Sequence, residues 1–450
     1  MTGSVNQNSA LQKGNYFLSI TIIGVFFFIF GFVTWLNGIL IPYLKIACEL
    51  SNFQSLFVAF AFYISYTVMA LPSSWVLKKT GFKTGMTVGL CVMATGTFLF
   101  IPAAMQRTYW IFLSGLFVLG TGLAILQTAA NPYITIIGPR ESAARRISIM
   151  GICNKIAGAI APLVLAYFIL HDGDTFIKTL ENLSDSERIT ALDGLARRVI
   201  SPYAVMTGVL LVLGLFIRWA PLPDVDTEQD QEIISTFSTF KTSIFQFPQL
   251  ILGVLTLFFY VGIEVISGDT IIRYGLSIGV PLESAKNFTS LVLTAMVIGY
   301  VIGIVLIPKV ISQKKALVWS GILGLILTLL ITFMPTSAHF SFTFIDLMTL
   351  KKVELFVPYT ILFVGMLGLA NALVWPAVWP LAIHDLGKFI KTGSALLIMG
   401  IAGGALLPLL WGYLSDVWTM QQAYWIAVPC YSFIFYYAYH GHKIRSWKGS

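Results

Sequence analysis

Two carboxylates, one ammonium and several amides lie inside long apolar runs of this sequence, where ionic and polar groups are expensive. Lys155 stands beside Asn154 in IMGICNKIAGAIAPL, flanked by the small residues Gly151, Ala157 and Gly158, which let another helix come close. Glu264 and Asp269 stand in YVGIEVISGDTIIRYG, with Arg273 one turn beyond Asp269. Counted from the basic connection Arg140 to Arg146 at about 1.5 Å per residue, Gln127 falls roughly 20 Å and Lys155 roughly 14 Å along their helices, near the middle of a hydrocarbon layer about 30 Å thick. A lysine there costs at least ~2.5–3.5 kcal/mol unless it meets a wet cavity or an acidic partner. Asp269 is expected to pair with Arg273 near the external surface, which leaves Glu264 as the deep acid available to Lys155. Burial disfavours an ionised carboxylate and a nearby ammonium favours it, so a Lys155–Glu264 pair could exchange protons as the helices around it move. The plainer alternative is a permanent ion pair that holds two helices together.

The amides and indoles extend the set. Gln127 and Asn131 are four residues apart and share a helix face, but Asn131 precedes Pro132 and is expected to answer the carbonyl that the proline leaves free. Asn37 lies in FVTWLNGILIPY, where an amide either bonds a neighbouring helix or contacts a ligand. Asn371 and Trp375 lie in GLANALVWPAVWPLAIHDLG; an indole offers a flat apolar face with an N–H donor, which suits a sugar ring, whereas Trp379 suits an interfacial anchor. Pro376 and Pro380 should break that helix. His384 and Asp385 read as an ordinary solvated loop, the cysteines Cys48, Cys91, Cys153 and Cys430 have no metal or disulfide spacing, and no phosphate-binding glycine loop occurs. Neither an enzyme nor a cofactor is expected.

The positioning elements follow from composition. Hydrophobic residues make up 57% of the 450 residues and charged ones 11%, against about 25% charged in a soluble domain, so the chain reads as an all-α polytopic membrane protein. Twelve apolar runs predict spans at 17–41, 53–77, 84–104, 109–137, 147–171, 203–219, 248–272, 288–308, 315–334, 357–383, 391–414 and 421–440. The first of these has no small-residue cleavage pattern and reads as a span, not a signal peptide. The net charge of +8 comes from lysines and arginines gathered in alternate loops, such as Lys78 and Lys79, Arg145 and Arg146, and Lys314 and Lys315. That pattern places those loops and both termini in the cytoplasm and gives the excess charge no nucleic-acid meaning. Residues 172–201 read as an external insert with one short amphipathic helix, 336–354 as a smaller external insert, and 220–247, rich in Pro and acidic residues, as a cytoplasmic linker.

The chain also repeats itself. IMGI at 149–152 returns at 398–401, and GAIAPL at 158–163 returns as GALLPL at 404–409, so span five and span eleven are copies. Two parallel six-helix repeats, 1–219 and 248–450, joined by 220–247, describe the major-facilitator architecture, with a substrate site between the halves near the midplane. On WLNGILIPYL, LQTAANPYITIIGP, RRISIMGICNKIAG, FFYVGIEV and GSALLIMGIAGGALLPLLWGYLSD, the sequence resembles the fucose:proton symporter family of the major facilitator superfamily, and within it the bacterial glucose/galactose transporter branch.

The resemblance implies hexose transport and supports Asn154 and Gln127 at the sugar site. It also marks a departure. The aspartate of span one and the glutamate of span four that the fucose permease uses are matched here by Gly38 and Gln127, neither of which titrates. Glu264, Asp269 and Lys155 remain for ion coupling, by a proton or by sodium bound at Glu264 or Asp269. The reading is an alternating-access importer of a neutral hexose, acting as a monomer in a bacterial cytoplasmic membrane, with Asn37, Gln127, Asn154, Lys155, Asn371 and Trp375 on the sugar. An uncoupled facilitator, an exporter of amphipathic compounds and a transporter-like sensor are the alternatives.

Overall fold

An apolar segment in lipid has no water to satisfy its peptide groups and must close its hydrogen bonds within a helix. The computed structural model describes residues 3–136, 143–170, 172–180, 182–219, 241–307, 310–345, 352–386 and 389–447. Among them, eleven helical stretches are long and apolar enough to cross a membrane, from Ser19–Ala47 to Ala395–Val417. A twelfth segment is composite, a 3₁₀ stretch at Gln422–Ile426 continuing into the helix Ala427–Tyr439. We number these as spans one to twelve. Most of the linker, 220–240, lies outside the described residues; its last part forms a 3₁₀ turn at Ile244–Gln246 capped by Ser243.

Two spans bend where their sequence compels it. Span ten stops at Ala372 and restarts at Val374, because the ring of Pro376 clashes with the carbonyl four residues before it; in the new first turn the missing N–H costs nothing. Span seven runs Pro248–Asp269 and continues as Ile271–Ser277. Between them Thr270 turns its hydroxyl back onto the carbonyl of Ile266 at 2.6 Å, a bond that bends helices.

The inserts differ from expectation in kind. Residues 172–201 hold two helices, Gly173–Leu180 and Asp185–Arg197, because Ser184 and Glu187 form a capping box that starts the second. Leu192 and Leu195 are buried there, while Ile189 faces outward. Tyr43 of span one donates to the carbonyl of Leu195 at 2.6 Å and docks this helix on the bundle. Losing the Ser184 hydroxyl should cost about 1 kcal/mol of local helix stability. Ser184→Ala is therefore expected to speed amide exchange across 185–197 roughly fivefold with transport unchanged, and unchanged exchange would count against the cap.

The smaller insert is an antiparallel hairpin, β1 (His339–Ile345) with β2 (Lys352–Pro358), in which Phe340 faces Val357 and Thr343 faces Glu354. The alternation in HFSFTFI already carried that period of two. Hairpin and helices share one end of the bundle, where the halves also touch: a side chain at Gly412 of span eleven would come within 2.0 Å of Leu56 at the start of span two.

Candidate functional site

The halves meet around one indole. Trp35 of span one, 2% exposed, lies between Gly158 of span five and Gly268 of span seven; a Cβ on either glycine would fall 2.3 Å from its ring. Leu293, Met296 and Tyr300 of span eight and Ala372 of span ten complete the cluster around it. Only glycines admit so close an approach from both sides, and Gly158, noted beside Lys155, is here accounted for.

Beside the indole, Lys155 Nζ donates to Glu264 Oε1 at 2.5 Å, with both side chains about one-tenth exposed. The ammonium also stands 4.8 Å from the centre of the Trp35 ring, within cation–π range. Lys155 comes from the first half and Glu264 from the second. Removing one member of such a pair leaves an unpaired buried charge, a loss of about 3–5 kcal/mol.

The predicted amides do not converge as a group. Gln127 donates to the Tyr66 hydroxyl of span two at 3.2 Å and is half-buried. Asn154 donates to the Phe27 carbonyl of span one at 3.2 Å, so its amide ties two helices of the same half. Asn371 accepts from the Tyr431 hydroxyl of span twelve at 2.8 Å, away from the first half. The amide nitrogens of Asn37 and Asn371 are buried without a hydrogen-bond partner. Trp375 stacks on Trp379, centroids 5.5 Å apart, and meets Tyr260 at 6.5 Å, one turn before Glu264. The side chain of Asn131 lies outside the described residues.

Asp269 and Arg273 do not pair. The helix is interrupted at Thr270 between them, which removes the geometry that brings residues four apart together. Asp269 is fully buried; Oδ2 accepts a long bond of 3.5 Å from the Tyr63 hydroxyl and Oδ1 has no partner. Arg273 turns instead over the ring of Trp411, 5.6 Å away.

Gly38 has no room for a larger side chain. A Cβ there would lie 2.5 Å from the Thr289 hydroxyl, which itself donates to the Gly268 carbonyl at 2.7 Å. Sequence reasoning passed over Trp35 and the tyrosines 63, 66, 260, 300 and 431. Their signal was present as polar-tipped aromatics inside apolar spans, but which of them face inward depends on helix rotation.

The sequence model of the Major Facilitator Superfamily matches residues 23–399. A glucose/galactose transporter of Brucella abortus is 32% identical, over 98% of this chain and 100% of its own length. The L-fucose-proton symporter of Escherichia coli is 27% identical, over 95% of this chain and 94% of its own. Among solved structures, FucP, a transporter of the same superfamily in its outward conformation, superposes with a TM-score of 0.68 at 25% identity, covering 94% of this chain and 98% of FucP.

Proposed function

The chain belongs to the Major Facilitator Superfamily, and on that premise we propose that it imports a neutral hexose by alternating access, coupled to a cation that acts at Glu264. The observation that carries the coupling is the buried Lys155–Glu264 pair, whose two members belong to different halves. A proton or a sodium ion on Glu264 competes with the ammonium and frees it. The freed ammonium, still held by the Trp35 face, has three donors for sugar hydroxyls. Cation and sugar then favour the same arrangement of the halves, and that shared preference is what couples them.

The sugar sits between Gln127 and Lys155 of the first half and Trp375 of the second, with Asn37, Asn154 and Asn371 behind them. Asp269 is the second carboxylate of the coupling machinery, and its unpartnered Oδ1 offers an oxygen to sodium. Glucose and galactose are the first sugars to test, since the full-length relatives carry those names. The basic loops face the cytoplasm of a bacterial cell together with both termini, and the helical insert and hairpin face outward. The functional unit is a monomer in the bilayer.

Titration of the purified protein with D-glucose and D-galactose should change indole fluorescence through Trp375 and Trp35. Gln127→Ala is expected to weaken that binding at least tenfold while the protein remains folded, because the sugar hydroxyls that the amide answers lose hydrogen bonds of about 1 kcal/mol each. Unchanged affinity would remove Gln127 from the site. A response to amphipathic dyes without one to sugars would favour the exporter.

A further inference from the structure

A cavity of about 430 Å³ opens between the halves at the end of the bundle that carries the inserts. Lys45, Asn52 and Ile177 line it from the first half, and Arg273, Ser277 and Met420 from the second. Arg273 is 3% exposed, yet none of its three guanidinium nitrogens has a hydrogen-bond partner. Its neighbour Trp411 has a buried indole N–H without a partner, as does the hydroxyl of Tyr424, whose ring lies 5.7 Å from that of Trp411. Lys45 spends one N–H on Asn52 Oδ1 at 2.6 Å and has two left. No carboxylate occurs among the described residues that line this cavity.

A buried guanidinium is stable when an opposite charge and acceptors answer its donors. Here the donors outnumber the acceptors: the exposed Asp416 of span eleven lies near enough to act on both cations but accepts from none of the Arg273 nitrogens. We propose that this cavity is a binding site for a small monovalent anion of the halide type, held between Arg273 and Lys45. Because the two cations belong to different halves, the anion binds only where these ends are packed together and so favours that arrangement. The site lies outside the Lys155–Glu264 cluster and does not depend on the sugar reading.

Bromide is the probe. In detergent at constant ionic strength, replacing gluconate by bromide is expected to raise the thermal unfolding midpoint with the logarithm of bromide concentration, as a ligand of the folded state does. Crystals grown in bromide should carry an anomalous peak between Arg273 and Lys45. Arg273→Gln is expected to abolish the thermal response, and Lys45→Gln, which keeps an amide beside Asn52, to move it to at least tenfold higher bromide. If Arg273→Gln fails to fold, Lys45→Gln and the anomalous peak decide. Equal midpoints in bromide and gluconate, or a response undiminished in the variants, would overturn the site.

Discussion

Lys155→Ala is expected to reduce hexose uptake at least a hundredfold, because it leaves Glu264 buried and unpaired on the other half. Losing one partner of a buried pair also lowers folding stability by about 3–5 kcal/mol, so uptake is to be compared per folded transporter. The informative variant removes both charges. Lys155→Met with Glu264→Leu replaces the pair by apolar side chains of similar length, and such exchanges are often neutral or stabilising in protein interiors. The double variant should therefore be as abundant and as thermally stable as the wild type, yet carry no sugar against a gradient. Recovery of concentrative uptake in the double variant would make the pair a structural tie and end its role in coupling.

The second large effect concerns the indole between the halves. Gly268→Ala places a Cβ 2.3 Å from Trp35, and the ring has little room to retreat, since the backbone at Gly158 packs so closely on its other side that a Cβ there would also meet it. The variant should fold within each half but disfavour the packed state, with uptake reduced at least tenfold. A cysteine placed at Leu56, which is fully buried against span eleven, reports that state by its protection from a thiol reagent in a background lacking the native cysteines. Labelling should rise in Gly268→Ala and fall again when Trp35→Phe supplies a smaller ring. Protected Leu56→Cys together with lost uptake would mean that Gly268 acts on the sugar site and not on packing.

What could be read from the sequence depended on whether the physics was local. Apolar runs of about 20 residues mark spans without any knowledge of neighbours, and the repeated IMGI and GALLPL segments relate the halves. The meeting of Lys155 with Glu264 was legible because a deep lysine needs an acid and few were present. The supposed Asp269–Arg273 pair failed because it assumed an unbroken helix, and spacing alone does not reveal the interruption at Thr270. Trp35 was unreadable as a centre, since its role depends on two glycines more than a hundred residues away. The hairpin at 339–358 was legible in its alternation, but a window tuned to apolar spans passes over it.

Reconstituted liposomes give the most direct test of cation-coupled import. Radiolabelled glucose and galactose uptake should be measured with an inward proton gradient, an inward sodium gradient, or neither. Accumulation above equilibrium under one of the two gradients, lost in Glu264→Gln, is the expected result and identifies the cation. Uptake that only equilibrates, indifferent to both gradients and to Glu264→Gln, would contradict coupling and make the protein a facilitator in which Lys155 and Glu264 merely hold the halves together.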